Sequence, residues 1–398
     1  MKCLYLTYDG LLDPLGQSQV IPYVQCLVAA GHTFTIISYE KERRSPAELE
    51  AMEHQLRLMG VKWLRLSFRK TSKTEFARRI LAGAALLRRV RRDFQPDLVH
   101  LRGHMPAIIY QLSLLRVPHL YDYRGFSIEE WTETGRVRRH SLAHRLLRMI
   151  DGRAVRTASG LVVLEKSAGD ALRSLYRIPD VPFKVIRTCT DISLYRPRRP
   201  AAGGPEDNLL RFVFLGSARP PSYRPDLALR LVARLLRIGL NCRIDFINES
   251  DHREIATAVR QVDFPSDRVR IVQVDHRNVP AALADYDCGL IFYDTTSPWT
   301  QVRSPTKLGE YLAAGIPVVA LEGIHVLDEL AVSTGCVRVV GQRQLMDPDG
   351  AGDGGELAAF IRKPEVEDAC RALARRAFSL EMAGALYCGL YAEIAAGF

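Results

Sequence analysis

The sequence predicts an α/β protein of two doubly wound domains, each with a parallel sheet covered by helices on both faces. Its 398 residues suffice for two domains of ordinary size. Short apolar strands alternate with helical segments in the first half, and the alternation starts again after residue 210. Between the halves, RPRRPAAGGPEDN at 196–208 has three prolines, two glycines and no apolar periodicity, which indicates a linker. Ligands of such folds bind beyond the carboxyl ends of the strands, so we expect the site in a cleft between the domains.

The individual elements follow from apolar runs between turn residues and from apolar positions at helical spacing. The helix at 18–30, for example, ends at Gly31, which is a typical C-terminal cap. In the first half we predict strands at 1–8, 34–38, 62–68, 98–101, 118–123 and 160–164 and helices at 18–30 and 75–93. In the second half we predict strands at 211–215, 242–247, 268–273, 288–293 and 317–320 and helices at 226–238, 279–285 and 306–314.

Composition excludes several classes of protein. Hydrophobic residues make up 47% and charged residues 25% of the chain, which is typical of a globular protein and too apolar for a disordered one. No apolar run reaches the roughly 18 residues that span a bilayer, and the N-terminus lacks the apolar stretch of a signal peptide. The eight cysteines are scattered without a C-x-x-C pair, so we expect reduced thiols in a cytoplasmic protein and no metal site. Because no nucleic-acid-binding signature is present, nucleic acid is not an expected partner.

The net charge of +10 is concentrated in the first half of the chain. Residues 1–200 carry 34 basic and 19 acidic side chains, or +15, and residues 201–398 carry 21 basic and 26 acidic ones, or −5. Two arginine-rich amphipathic segments, 75–93 and 136–156, supply much of the excess. Such helices bind anionic membrane surfaces with about 1 kcal/mol per nearby Lys or Arg. The alternative is that their apolar sides pack on the sheet and the arginines are solvated.

The segment SPTKLGEYLAAGIPVVA, which begins at Ser304, predicts a phosphate-binding helix terminus. Pro305 precedes the helix and Thr306 is its predicted N-cap. The free N–H groups and the positive dipole end of a helix start bind phosphate, and Lys307 adds a positive charge there. Glu310, one turn further on, can accept hydrogen bonds from sugar hydroxyls. An ordinary capped helix with Glu310 in solvent is the alternative.

This segment resembles the nucleotide-sugar motif of retaining family 4 glycosyltransferases, whose GT-B architecture has two Rossmann-like domains. In that family two glutamates usually lie eight positions apart. Glu310 matches the second, which contacts the donor ribose, whereas Val302 occupies the position of the first. A branch of the family carries S-P-T-K-x-G-E-Y there. The resemblance implies that Lys307 and the helix start stabilise the donor diphosphate and that no metal or other cofactor is required.

The resemblance implies further site residues near the start of the chain. Residues 13–32 resemble the first loop and helix of the family, in which a glycine lets the loop approach the reacting sugar. Gly16 matches that glycine. The polar side chains of Gln17 and Ser18, ahead of the helix, are the expected acceptor contacts.

Two neighbouring strand ends carry more candidates. LYDYRGFSIEE resembles the D-x-R-G segment of the same branch and places Asp122 and Arg124 on the acceptor side, unless they form a structural ion pair. Many members carry a histidine near the reaction centre after the fourth strand. Here Arg102 lies at that position, and His104 follows closely. We expect catalytic roles for both, and a structural role for His104 is the alternative.

The first loop of the second domain, GSARPPSYR, matches the loop that often supplies basic side chains to the diphosphate. Gly216 fits the family pattern, and Arg219 and then Arg224 are the expected phosphate contacts. The final helical segment resembles a terminal helix that crosses back to the first domain. The resemblance thus implies an acceptor domain at 1–196, a linker at 197–209, a nucleotide-sugar domain at 210–375 and a terminal helix at 376–398.

Three patterns that suggest metal sites are better explained without one. The triplet Asp285-Tyr286-Asp287 lies where a helix turns into an apolar strand. His140 and His144 have helical spacing, but they are crowded by arginines. The Gly- and Asp-rich stretch at 345–356 lacks the ligand spacing of a calcium loop, which predicts a surface loop.

The sequence therefore predicts a cytoplasmic glycosyltransferase, peripheral on the inner face of the membrane, that moves a sugar from a nucleotide-sugar donor to an acceptor hydroxyl. The expected acceptor is a lipid-linked or membrane-bound glycan of envelope polysaccharide synthesis, and a soluble small molecule is the rival. Two other classes stay open. An epimerase of nucleotide sugars needs acid and base carboxylates facing the sugar, and a noncatalytic protein only binds the nucleotide sugar.

Overall fold

The computed structural model describes residues 1–41, 44–68, 72–178, 181–197, 208–347 and 354–397. The chain forms two compact units, one of Met1–Arg187 with Leu380–Phe398 and one of Thr188–Ser379. Most of the predicted linker at 197–209 and half of the predicted loop at 345–356 lie outside the described residues. The described ends of that loop belong to the helices Gln342–Met346 and Gly354–Ile361, so the loop is shorter than predicted. The first unit contains both ends of the chain, and the second unit is one continuous segment between them.

The described part of the first unit contains a seven-stranded parallel sheet in the order β3-β2-β1-β4-β5-β6-β7. Its strands are β1 (Lys2–Thr7), β2 (Thr33–Lys41), β3 (Lys62–Phe68), β4 (Leu98–Arg102), β5 (His119–Tyr123), β6 (Gly160–Val163) and β7 (Lys184–Val185). The helices between them are α1 (Pro14–Gln19), α2 (Ile21–Ala29), α3 (Pro46–Leu58), α4 (Lys73–Phe94), α5 (His104–Ser113), α6 (Ser127–Glu133), α7 (Leu142–Thr157) and α8 (Lys166–Tyr176).

In the second unit, the described residues form a six-stranded parallel sheet in the order β10-β9-β8-β11-β12-β13. Its strands are β8 (Leu210–Leu215), β9 (Cys242–Ile247), β10 (Val269–Val272), β11 (Cys288–Ile291), β12 (Val318–Leu321) and β13 (Val337–Val340). Its helices are α9 (Pro225–Arg237), α10 (His252–Val262), α11 (Val279–Leu283), α12 (Pro298–Gln301), α13 (Thr306–Ala313), α14 (His325–Ser333), α15 (Gln342–Met346), α16 (Gly354–Ile361) and α17 (Val366–Ala377). The last helix, α18 (Leu380–Ala396), belongs to the first unit.

Both sheets are doubly wound, as the sequence predicts. Every residue of β4, β5, β11 and β12 is buried, because helices cover both faces of a parallel sheet. The strand order reverses between β1 and β4 in the first sheet and between β8 and β11 in the second. In such folds, the crevice at the carboxyl ends of the two strands flanking the reversal is the usual ligand site.

The structure corrects two of the predicted helices. The helix predicted at 18–30 is two helices, α1 and α2, because Val20 interrupts them and Pro22 stands in the first turn of the second. The long terminal helix is also divided, into α17 and α18. At the division, the Thr190 N–H donates to the Phe378 carbonyl (N···O 2.8 Å), and Thr190 also forms an isolated bridge with Ser379. None of the described helices is long and apolar enough to cross a bilayer.

Candidate active site

In the second unit, the candidate residues gather at the carboxyl ends of β8 and β11. Gly216 directly follows β8 with φ of 83°, a left-handed conformation that favours glycine. Its carbonyl accepts a hydrogen bond from the Asn248 side chain (N···O 2.9 Å), which holds the turn. Helix α13 is the crossover helix between β11 and β12, and it begins at Thr306 after the loop and α12 that follow β11. Its start and the turn at Gly216 therefore both lie at the ligand-binding edge of this sheet.

Lys307 is a buried cation among aromatic rings. It is 5% exposed, and its Nζ lies 4.8 Å from the ring centroid of Phe214, 5.1 Å from that of Tyr223 and 5.7 Å from that of Tyr293. No described residue accepts a hydrogen bond from Nζ. Burial lowers the pKa of Lys307 to about 7, against the opposing effect of the Glu310 carboxylate. Cation–π contacts offset part of the cost of burial, and an anionic ligand would offset more.

Glu310 lies one turn beyond Lys307 on α13 and is partly buried. The Tyr195 hydroxyl donates to its Oε1 at 3.4 Å. Burial raises the pKa of Glu310 to about 7, while Lys307 and the Tyr195 hydroxyl act in the opposite direction. The Glu310 side chain is therefore only partly exposed and has the Tyr195 hydroxyl as a hydrogen-bond partner.

The start of α13 differs from the prediction by one residue. Pro305 is the N-cap and Thr306 is the exposed first helical residue, so the prediction that Thr306 caps the helix is wrong. Proline provides no side-chain acceptor, and no side chain caps the first turn. The Ser304 hydroxyl just before it is buried without a hydrogen-bond partner among the described residues. The terminus thus combines an uncapped helix start with an orphaned hydroxyl and the buried Lys307 ammonium.

The two predicted phosphate-binding arginines are held by carboxylates. Arg219 is 2.8 Å (Nη2) from Oδ1 of Asp251, and Arg224 contacts Asp226 through two hydrogen bonds of 2.9 and 2.8 Å. Burial alone would raise the pKa of Asp251, but hydrogen bonds led by that of Ser217 bring it to about 2. Asp251 therefore stays ionised and fixes Arg219. Arg219 and Arg224 therefore already have carboxylate partners, whereas Lys307 has no hydrogen-bond acceptor among the described residues.

The candidates of the first unit lie at the ends of β4 and β5. Asp122 is buried, with Oδ1 3.4 Å from Nη1 of Arg124 and Oδ2 3.6 Å from Nη1 of Arg102. Although burial alone would raise the pKa of Asp122, Arg124, His100 and Arg102 hold it well below its usual range. The structural ion pair between Asp122 and Arg124 that the sequence left open is present, and Arg102 joins it.

His104 is directed into the interior. It is the first residue of α5, is 4% exposed, and has its Nε2 3.5 Å from Oδ2 of Asp151 on α7. The Tyr121 hydroxyl (2.5 Å) and the Tyr176 hydroxyl donate to the same carboxylate. This buried polar cluster gives His104 a structural environment, and its catalytic role stays a prediction.

The residues predicted in the first loop belong to helix α1. Gly16 is buried there, and a Cβ atom at this position would lie 2.1 Å from the Gly10 carbonyl oxygen. The Gln17 amide donates to the Leu11 carbonyl at 2.6 Å, and the Ser18 hydroxyl donates to the Pro14 carbonyl at 2.7 Å. The expectation that Gly16 belongs to a loop ahead of the helix is therefore wrong. Gly16 and Gln17 pack against the turn before α1, and the Ser18 hydrogen bond lies within α1.

The two arginine-rich helices differ in the burial of their apolar residues. On α4, Ile80, Ala84, Leu87 and Val90 are buried, so this helix packs its apolar side into the core. Helix α7 instead exposes apolar residues at helical spacing, with exposures of 84% for Leu142, 52% for Leu146 and 63% for Met149. Exposed arginines accompany this stripe at 138, 139, 145 and 153.

The sequence patterns that suggest metal sites have other partners. Asp287 accepts a hydrogen bond from the Arg211 N–H, and the Tyr286 hydroxyl donates to Asp245. Nδ1 of His144 accepts from the backbone N–H of His140. No group of three or more metal-ligating side chains occurs within the described ranges.

Two doubly wound sheets of this order define the Rossmann-like α/β class, which confirms the predicted fold. Residues 18–194 match the model of Glycosyltransferase Family 4, so this part of the chain is assigned to that family. The match supports the family resemblance for this part of the chain, and the segment that begins at Ser304 lies outside it. No curated protein sequence matches the chain significantly.

Several solved structures share the fold along the whole chain. A sucrose-phosphate synthase from Thermosynechococcus elongatus has a TM-score of 0.72 at 14% identity, covering 100% of both chains. HepE of Anabaena in complex with UDP-glucose has a TM-score of 0.63 at 14% identity, covering 98% of this chain and 99% of that one. A putative UDP-N-acetylglucosamine 2-epimerase from Listeria monocytogenes has a TM-score of 0.60 at 12% identity, covering 100% and 97%. At these identities, the comparisons establish the fold alone.

Proposed function

We propose that the protein transfers a sugar from a nucleotide-sugar donor to an acceptor hydroxyl, with retention of the anomeric configuration. One observation carries this proposal. The Lys307 ammonium is buried at the edge of a doubly wound sheet, beside an uncapped helix start and without an acceptor among the described residues. A nucleoside diphosphate supplies the negative charge that this arrangement lacks.

The second unit binds the donor in this proposal. Lys307 and the helix start at Ser304, Pro305 and Thr306 hold the diphosphate, and Glu310 accepts hydrogen bonds from the ribose hydroxyls. The turn at Gly216 allows the backbone to approach the donor, because its left-handed residue has no side chain. The nucleotide bound to HepE supports this choice of donor class by fold analogy alone.

The reaction needs positive charge where the diphosphate leaves. The bond between the anomeric carbon and the β-phosphate oxygen breaks, and a bond from the acceptor oxygen forms on the same face of the sugar. The acceptor proton passes to the departing phosphate, so no side-chain base is required. Lys307 and the helix start stabilise the charge that develops on the leaving group, which is the electrostatic role that a metal ion has in other transferases.

The first unit contributes the acceptor side. We infer that the acceptor is a lipid-linked or membrane-bound glycan of envelope polysaccharide synthesis, because α7 combines an exposed apolar stripe with flanking arginines. A membrane-surface helix has this combination, in which apolar side chains enter the bilayer and arginines contact anionic headgroups. The protein then works as a peripheral enzyme on the inner face of the membrane.

Vesicle pelleting tests the membrane part of the proposal. Wild-type protein should pellet with phosphatidylglycerol vesicles at low salt and be released at high salt, because headgroup attraction is screened. Leu146→Glu should reduce pelleting. Leu58→Glu, at a 75% exposed leucine on α3, is the matched control and should leave it unchanged. Equal pelleting of the two variants would refute a membrane contact through α7.

A donor screen followed by a product assay tests the central proposal. Thermal shifts with nucleoside diphosphates and nucleotide sugars identify the donor, because a ligand that binds the folded state raises Tm. With that donor and candidate acceptors, Lys307→Met should lose transfer. Conversion of the donor to an isomer without any acceptor would indicate the epimerase, and donor binding without turnover would indicate the noncatalytic alternative.

A further inference from the structure

We propose that the carboxyl edge of the first sheet binds an oxyanion, a phosphate ester or a carboxylate, through Arg102 with support from Arg124. The proposal rests on the proposed function in one respect, because it regards this oxyanion as part of the acceptor. The binding site itself is argued from the first unit alone.

Arg102 lies where a doubly wound sheet presents its ligand crevice. It is the last residue of β4, and its register partner on β1 is Thr7, the last residue of that strand. The strand order reverses between these two strands. Arg124 follows the neighbouring β5 directly. Both guanidinium groups therefore contact the Asp122 carboxylate at the sheet edge where such folds bind ligands.

The hydrogen-bonding capacity of Arg102 is largely unused. The residue is 6% exposed, and no described residue accepts a hydrogen bond from its Nε. The nearest carboxylate oxygens are Oδ2 of Asp9, 3.5 Å from Nε, and Oδ2 of Asp122, 3.6 Å from Nη1. A guanidinium carries five donors, and burial of such a group is costly unless acceptors reach it. An oxyanion in the crevice would be such an acceptor.

The charged groups around Arg102 are a second guanidinium and two carboxylates. The buried Asp122 carboxylate faces both guanidiniums and cannot neutralise two positive charges. The imidazole of His100 adds no negative charge, and Nδ1 of that ring is in hydrogen-bond contact with the Tyr391 hydroxyl at 2.8 Å. Asp9 is the other carboxylate in reach, and its side chain is 39% exposed, so solvent weakens its interaction with Arg102.

The geometry of the guanidinium group favours an oxyanion over a neutral sugar. Its planar fork pairs with two oxygens of one phosphate or carboxylate group, and such charge-assisted pairs are about twice as strong as neutral hydrogen bonds. Phosphate esters and uronic acids share this chemistry. A neutral hydroxyl would accept from a single donor of Arg102 and would gain no charge assistance from its own side.

Calorimetric titration with inorganic phosphate and with D-glucuronate tests the proposal, with D-glucose as the neutral control. The titrations use the full chain carrying Lys307→Met, which removes the anion site proposed for the second unit. Both anions should bind this protein better than glucose. Adding Arg102→Gln should weaken anion binding at least tenfold, because a buried charged partner is lost. Arg65→Gln, at a 40% exposed arginine of the same sheet, should not weaken it.

Asp9→Asn distinguishes binding from misfolding. It removes a competing carboxylate next to Arg102, so it should tighten phosphate binding about two- to fivefold. A damaged fold cannot produce that gain. Equal binding of glucose and glucuronate, unchanged binding in Arg102→Gln, or no tightening in Asp9→Asn would each overturn the proposal. Donor binding in the Lys307→Met protein would instead contradict the proposed function and leave the anion site unaffected.

Discussion

Lys307 and Glu310 lie one turn apart on α13, and burial moves their pKa values toward each other until both are about 7. Burial lowers the first and raises the second, and the electrostatic attraction between the two groups opposes both shifts. Near neutral pH, a small change in pH therefore changes the protonation of both side chains. An anionic ligand next to Lys307 favours the protonated ammonium, so binding and protonation are coupled.

Donor affinity should decrease as the pH rises above 7. The lowered pKa means that Lys307 loses its charge in this range, and a donor diphosphate then binds a neutral amine. For one coupled proton, the decrease is at most about tenfold per pH unit. Calorimetry between pH 6 and about 9 measures it. Lys307→Arg should give a flat profile, because arginine stays charged.

Glu310→Gln is the second control for this pH profile. Glu310 raises the pKa of Lys307, so its removal should shift the decrease in donor affinity to lower pH. A pH-dependent decrease that persists in Lys307→Arg would mean that another group binds the proton.

Lys307→Met should stabilise the protein while it abolishes transfer. The pKa of Lys307 is about 7 in the folded protein and near its usual 10.5 in the unfolded chain, so between these values the folded state binds fewer protons. Folding stability from this group therefore rises with pH across that window and is lowest near or below pH 7. A well-packed apolar replacement removes this penalty, which amounts to about 1–4 kcal/mol for buried charges.

Thermal unfolding at several pH values checks this prediction. Each kcal/mol corresponds to about 2–4 °C in Tm for a unit of this size. The gain of Lys307→Met over wild type should be a few degrees at pH 7 and should shrink toward pH 10, where wild-type Lys307 is neutral. A lower Tm for the variant would show that the ammonium has a stabilising partner.

Glu310→Gln should weaken donor binding through the ribose. The carboxylate is the stronger acceptor, and a hydrogen bond to a charged group contributes about 1.5–3 kcal/mol. We expect a donor KM at least tenfold higher with kcat little changed. A nucleoside diphosphate without ribose hydroxyls is the control ligand. It should bind wild type and variant equally, and an equal loss for both ligands would place the ribose elsewhere.

Gly16→Ala should destabilise the first unit. The added methyl group would lie 2.1 Å from the Gly10 carbonyl oxygen and 2.6 Å from Cα of Leu11, which are backbone atoms with little freedom to move. Overpacking of this kind costs about 1–3 kcal/mol. Gly389→Ala on α18 is the matched control, because no atom lies within 4 Å of its added Cβ. It should leave Tm unchanged or raise it, since alanine favours helix.

The fold and the approximate extent of α13 were accessible from the sequence because their signals are local. Buried parallel strands are apolar runs, and Pro305, Gly315 and Pro317 punctuate the segment around α13. The predicted helix at 306–314 and the observed α13 differ by one residue at the end. The pairing of Arg224 with Asp226 was also open to prediction, since the two are only two positions apart.

The surroundings of Lys307 could not be predicted in the same way. Phe214, Tyr223 and Tyr293 come from three separate segments, and only the sheet brings them together. Phe214 and Tyr293 fall within predicted strands, but nothing in the sequence places them beside Lys307. Asp251, which holds Arg219, is 32 positions away in the chain and carries no motif. Tertiary contacts decide which basic side chain remains without a carboxylate partner. The apolar periodicity of a sequence carries no information about such contacts.

Helix α18 belongs to the first unit but is synthesised last, which has a consequence for the order in which the units are completed. Nδ1 of His100, in the middle of the first sheet, contacts the hydroxyl of Tyr391, which the ribosome adds 291 residues later. The segment Thr188–Ser379 is complete before α18 exists. All residues of the second unit are therefore synthesised before α18, whereas His100 lacks its Tyr391 contact until α18 has been added. Loss of the final twenty or so residues would damage the part of the protein that is made earliest.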